Sequence, residues 1–187
     1  LGRQYRFDEP HALQVTRLAL SLFDQVSPTL RIAKADRRLL RAAALLHDIG
    51  IGIDEVRHHK ISLALITESR LTGFSSTDML LTANVARYHR RSAPALRHPA
   101  YAALNPGDRL RVVRLSALLR LADVLDRDHR QTVRHVRARL LMHRLRLDLE
   151  GNGIALPDES VLRRKAALFE RTFDRHVEFR VSVAGGA

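Results

Sequence analysis

Hydrophobic positions recur along the first two-thirds of this chain at helical spacing, and the period changes near the end. From Asp8 to about Val26 the stripe His11, Val15, Leu18, Leu22 lies on one side of a helix. Asp8 is a good N-cap, Pro10 suits a first turn, and Ser27-Pro28 is expected to end the helix. A second helix is expected over about Ala35 to His47, with Asp36 at its start and Gly50 beyond its end. A third spans roughly His58 to Ser69 and is broken by Leu71-Thr72-Gly73. Ser75 or Ser76 caps a fourth that reaches about His89. Asn105-Pro106-Gly107 reads as a turn, and the apolar helix LRVVRLSALLRLADVLDR follows from Asp108 to about Arg127.

After about residue 130 the pattern alternates. Leu145, Leu147 and Leu149 face one way and Arg146, Asp148 and Glu150 the other, as in a half-buried strand. Val133 to Met142 is expected to be its partner, and Gly151-Asn152-Gly153 reads as a hairpin turn. A helix from about Glu159 to Asp174 and a strand from Val177 to Val183 complete the pattern. The fold class expected is mainly α: a helical bundle over residues 1–130, then a small α+β appendage over 131–187.

Composition narrows the chemistry. Of the residues, 45% are hydrophobic and 28% charged, a globular balance. No apolar run approaches the roughly 20 residues of a bilayer span, and no stretch has the layout of a signal peptide, so a cytoplasmic protein is expected. The absence of cysteine excludes thiolate metal sites, disulfides and cysteine nucleophiles. The 32 basic residues outnumber the 20 acidic ones, for a net charge of +12, which favours anionic partners. Yet 29 of the 32 are arginine and they are spread along the chain, a pattern that genome-wide arginine usage explains equally well. Specific nucleic-acid binding is not expected, because no aromatic-rich basic platform is evident.

Ten histidines then carry the argument. The motif LLHDIG sets His47 beside Asp48 at the end of a helix whose preceding residues are wholly apolar. An ionised carboxylate there needs a positive partner. Other ligand types recur at helix ends or inner faces: His11 on the first stripe, His58-His59 opening the third helix, His89 closing the fourth, and Asp123 within LLRLADVLDRDH. Taken singly, each has a plainer account: His11 as a first-turn residue, His58 or His59 as a surface helix start, His89 as part of a basic patch, Asp123 paired with an arginine such as Arg120. Jointly they describe a cation pocket of nitrogen and oxygen donors, suited to Mn, Fe, Mg, Zn, Co or Ni.

At these residues the sequence resembles the HD superfamily of metal-dependent phosphohydrolases, whose pattern is a histidine, a His-Asp pair and a distant aspartate in a helical bundle. His11, His47, Asp48 and Asp123 match in order. Two-metal members add intervening histidines, and His59 and His89 fit that addition, with His58 as the substitute for His59. A closer resemblance covers nearly the whole chain. The segments YRFDEPHALQVTRLALSLFDQ, LLHDIGIGID, HHKISLALITES, LTGFSSTDMLLTANVARYHRR, LLRLADVLDRDH and KAALFERTFDR resemble the C-terminal half of the exopolyphosphatase/guanosine pentaphosphatase family. The N-terminal ATPase-like domains of that family lie outside the segments that carry the resemblance.

The resemblance implies one or two divalent ions held by His11, His47, Asp48, His59, His89 and Asp123, with Asp48 bridging them and an activated hydroxide attacking phosphorus. Asp48 and Lys60 are the expected catalytic residues, and Arg87, Arg90 and Arg91 the expected phosphate binders. The expected substrate is a nucleotide, polyphosphate or other phosphate-containing small molecule. The rival reading is a non-catalytic polyphosphate- or nucleotide-binding module, or a dimerising one. A homodimer through exposed strand edges is also expected.

Overall fold

The structure is a computed structural model that describes residues 1–90 and 92–181. Helix α1 runs Glu9–Leu30, α2 Arg37–Leu46, α3 His58–Glu68, α4 Ser76–Arg87, α5 Pro99–Ala102 and α6 Pro106–Val124. Strands β1 (Val133–Leu140) and β2 (Arg144–Gly151) follow, then α7 (Glu159–Phe173) and β3 (His176–Val181). The fold is mainly α with a small α+β part at its end, as the periodicity predicts. No helix among the described residues is long and apolar enough to cross a membrane.

Helix α1 is the centre of the bundle. Its predicted stripe is buried throughout, and it packs on α2, α6 and β1. Asp8 caps it by accepting from the backbone N–H of His11. The helix continues past Ser27-Pro28 to Leu30, contrary to expectation. Pro28 falls in the last turn, where it forgoes one hydrogen bond, and burial of Leu30 and Ile32 holds the chain in place. Asn105-Pro106 is likewise a helix start and not a free turn: Asn105 accepts from the Asp108 N–H and Pro106 occupies the first helical position.

The sheet has the order β1-β2-β3, antiparallel between β1 and β2 and parallel between β2 and β3. Leu145, Leu147 and Leu149 are buried, as their alternation requires. The β1–β2 turn lies at Leu141 to His143, so β1 stops short of Met142. Gly151-Asn152-Gly153 does not form a hairpin. A Cβ at Gly151 would run into the Thr132 carbonyl, and the Asn152 N–H donates to that carbonyl at 3.1 Å. The segment therefore closes against the start of β1 and releases the chain toward α7, the crossover that a parallel β2–β3 pair needs. Val183, the expected end of the last strand, lies outside the described residues. One hydrophobic cluster runs from the bundle (Val15, Leu40, Leu118) into the sheet and α7 (Leu147, Phe169).

Candidate metal centre

Four histidines reach one pocket from four segments, and each is aimed by its other ring nitrogen. Nδ1 of His47 lies 2.7 Å from the Ala44 carbonyl, that of His58 2.6 Å from Glu55 and that of His89 2.6 Å from Ala86. A carbonyl only accepts, so each Nδ1 carries the hydrogen and Nε2 is the atom left to meet the pocket. His11 is aimed by a carboxylate, its Nδ1 donating to Asp126 Oδ2 at 2.8 Å. Such outer partners are the usual orienting contacts of metal-ligating imidazoles.

The inward atoms form two groups that share Asp48. His11, His47 and Asp48 make one and Asp48, His58 and His89 the other, with the ligand atoms of each within 4.8 Å of one another. His47 Nε2 is 3.4 Å from Asp48 Oδ2 and 3.6 Å from Asp123 Oδ1. His11 Nε2 is 3.8 Å from the same Asp123 oxygen. On the other side, His58 and His89 place Nε2 at 3.2 and 3.3 Å from Asp48 Oδ1. Each Asp48 oxygen thus faces a different group. His11 Nε2, His47 Nε2 and Asp48 Oδ1 are buried without a hydrogen-bond partner. The Nε2 atoms of His58 and His89 are 3.3 Å apart, close enough for one cation to meet both. The donors fit divalent cations that accept nitrogen and oxygen.

The electrostatics agree. Burial disfavours the charged form of Asp48, but His47, His58 and His89 outweigh it and hold its pKa far below the usual carboxylate range. Burial likewise opposes ionisation of Asp123, and the Lys165 charge with His11 and His47 overcomes it. Burial works against protonation of His11, yet Asp123 and Asp126 raise its pKa to about 10. His47 is raised against burial by Asp48 and Asp123. Burial dominates at His89 and lowers it to about 3 despite Asp48.

His58 stands where His59 was expected. The buried residues of α3 are His58, Ser62 and Ile66, one helical stripe, and His59 lies about 100° around the helix. The stripe is fixed by Gly50: a Cβ there would come within 2.6 Å of the His58 carbonyl and 2.9 Å of the Ser62 nitrogen. The Gly50 N–H donates to Ser62 Oγ at 3.1 Å, which locks the LLHDIG turn against the start of α3. His59 is half-buried, its Nδ1 has no partner, and burial with the nearby His58, Arg87 and Arg90 charges lowers its pKa to about 4.

Lys60, two positions beyond His58, is exposed and is not among the residues lining the cavity over the centre. Arg87 does not line it either; its guanidinium lies over the Tyr88 ring. Arg90 does, and it donates to the Glu55 carbonyl at 3.2 Å. Arg91 lies outside the described residues. The cavity has a volume of about 640 Å³, and Arg127 and Arg164 add to its basic wall.

Several residues were not singled out by sequence. Lys165, from α7, pairs with Asp123 Oδ2 and donates to the His89 carbonyl at 3.0 Å. Arg120, which the plainer account paired with Asp123, instead donates to the carbonyls of Tyr88, Arg90 and Ser92. His129 stacks on His11 at 3.7 Å and meets Asp8 Oδ2 at 2.7 Å. Asp126 could have been found by its place one turn beyond Asp123, and Lys165 by its rarity as one of three lysines.

A helical bundle with clustered imidazoles and carboxylates beneath a cavity partly lined by arginines defines a candidate metal centre. Residues 1–165 match the family Ppx/GppA phosphatase, domain III, and the chain belongs to that family. It is 32% identical over 118 residues, 62% of its length, to a guanosine-5'-triphosphate,3'-diphosphate pyrophosphatase of Vibrio vulnificus. It is 31% identical over 130 residues, 68% of its length, to a protein of the same name from Photobacterium profundum. The matched regions span only 24% and 25% of those relatives.

Proposed function

We propose that this chain is an HD-type, metal-dependent phosphohydrolase domain acting on a phosphate anhydride or ester of a nucleotide or polyphosphate. The observation that carries the reading is the pair of ligand groups joined through Asp48, with buried, unpartnered Nε2 and carboxylate atoms directed inward. His11, His47, Asp48 and Asp123 would hold one ion and Asp48, His58 and His89 a second. Divalent ions at such a centre act as Lewis acids on a phosphoryl group and make hydroxide available near neutral pH. The chain's own residues do the rest. The Nδ1 partners hold each imidazole in one tautomer, Asp48 joins the two groups, and Arg90, Arg127 and Arg164 on the cavity wall bind phosphate oxygens. The names of the curated relatives support a nucleotide carrying phosphoanhydride bonds as substrate.

The test is metal analysis of the purified chain together with a screen of phosphate substrates in added Mn, run beside His47→Ala, Asp48→Ala. Near-stoichiometric metal and phosphate release, both lost in the double variant, are expected. Phosphate binding with neither metal nor turnover would instead establish a non-catalytic binding module, the reading that the net charge of +12 favours.

A further inference from the structure

Helix α7, in the α+β part of the chain, sends Lys165 into the centre. Lys165 is buried at 8% exposure, and its ammonium meets Asp123 Oδ2 and the His89 carbonyl, groups from α6 and from the end of α4. The opposite oxygen of Asp123, Oδ1, is the one directed at His11 and His47. One carboxylate is thereby divided between a lysine and a ligand group. A carboxylate bound by a single ion with its second oxygen free can swing to take that ion through both oxygens; one whose second oxygen is engaged by a fixed ammonium cannot.

We infer that Lys165 is a positioning residue that restricts Asp123 to one oxygen at the His11–His47–Asp48 group and ties that carboxylate to the segment carrying His89. This rests on the metal-centre reading and adds to it a role for the C-terminal part of the chain. The compact ammonium suits the task, because its three rotatable donors can meet one carboxylate oxygen and one carbonyl together. Removing the lysine also removes a positive charge beside the ion site. The ion should therefore be retained, or bound more tightly, while its coordination changes. A merely structural role gives the opposite result, a weaker site and a less stable protein.

Visible absorption of the Co²⁺-loaded full chain reads the coordination directly. The natural protein and Lys165→Met are titrated with Co²⁺. The sequence has no cysteine, so Lys165→Cys supplies a unique thiol that bromoethylamine converts to a lysine analogue and iodoacetamide to a neutral side chain. We expect Lys165→Met and the neutral derivative to keep their Co²⁺ but lose band intensity, as coordination number rises, and the aminoethylated protein to regain the natural spectrum. If Lys165→Met does not fold, the two alkylated forms carry the comparison. A natural spectrum in the neutral derivative, or equal loss of Co²⁺ and of thermal stability in both alkylated forms, would overturn the inference. A natural protein that takes up no Co²⁺ would overturn the metal-centre reading, and this inference with it.

Discussion

At His11 a proton and the proposed cation would contest one lone pair. Nδ1 is committed to Asp126, so only Nε2 can face the pocket, and Asp123 and Asp126 raise the pKa of the ring to about 10. Without an ion the charged imidazole stabilises the fold. A raised folded pKa means that this contribution is full below the unfolded value near 6.5 and is lost as pH climbs through about 10. Ion binding needs the same Nε2 unprotonated, so it must expel the proton. Calorimetry in buffers of different ionisation enthalpy should show proton release on metal binding at neutral pH, with affinity rising between pH 7 and 10; binding without proton release would remove His11 from the centre. Asp123 belongs to the same scale. Asp123→Asn keeps the shape but removes charge from Oδ1 and Oδ2, and metal content should fall severalfold by elemental analysis, whereas unchanged content would exclude Asp123 as a ligand.

At the scale of elements, two local devices place the candidate ligands. The first is the contact of the LLHDIG turn with α3. Gly50 has no room for a Cβ, and the Gly50 N–H to Ser62 Oγ bond selects the His58–Ser62–Ile66 stripe as the inner face. Gly50→Ala should cost about 1–3 kcal/mol in urea unfolding, the range for an overpacked site. It should also displace His58 from Asp48; an unchanged midpoint and unchanged metal content would show that the contact is slack. The second device is Arg120, 3% exposed, whose guanidinium gathers three carbonyls of the segment after α4. Burial lowers its pKa to about 10, so it remains charged at neutral pH. Arg120→Ala leaves those carbonyls unpaired and should destabilise by on the order of 2–3 kcal/mol, with His89 loosened; thermal unfolding with and without metal would measure both effects.

For the whole molecule, the continuity of the core is decisive. The cluster that begins in α1 and α6 includes Leu145, Leu147, Leu149 and Phe169, and Lys165 carries the α+β part into the centre. A chain built this way should unfold in one cooperative transition, with circular dichroism and metal release reporting the same midpoint. Two separated transitions would show that the bundle and the α+β part are independent units.

Much of this was legible along the chain, because helix and strand periods depend on neighbours three, four or two residues away. The stripes of α1, α6 and β2 follow from such spacing, and the His47-Asp48 pair, His11, His89 and Asp123 stood out as candidates by residue type at helix ends and inner faces. The end of α1 was not, because burial of Leu30 and Ile32 outweighs a local proline signal. The choice of His58 over His59 was not, because a small serine marks the inner face only once Gly50 is packed on it. The partner of Asp123 was not either, since Lys165 lies 42 positions away and reaches it only after the β2–α7–β3 crossover has folded back on α6. Local patterning thus determined which imidazoles and carboxylates lie at inner faces and helix ends, and long-range packing decided which of them meet.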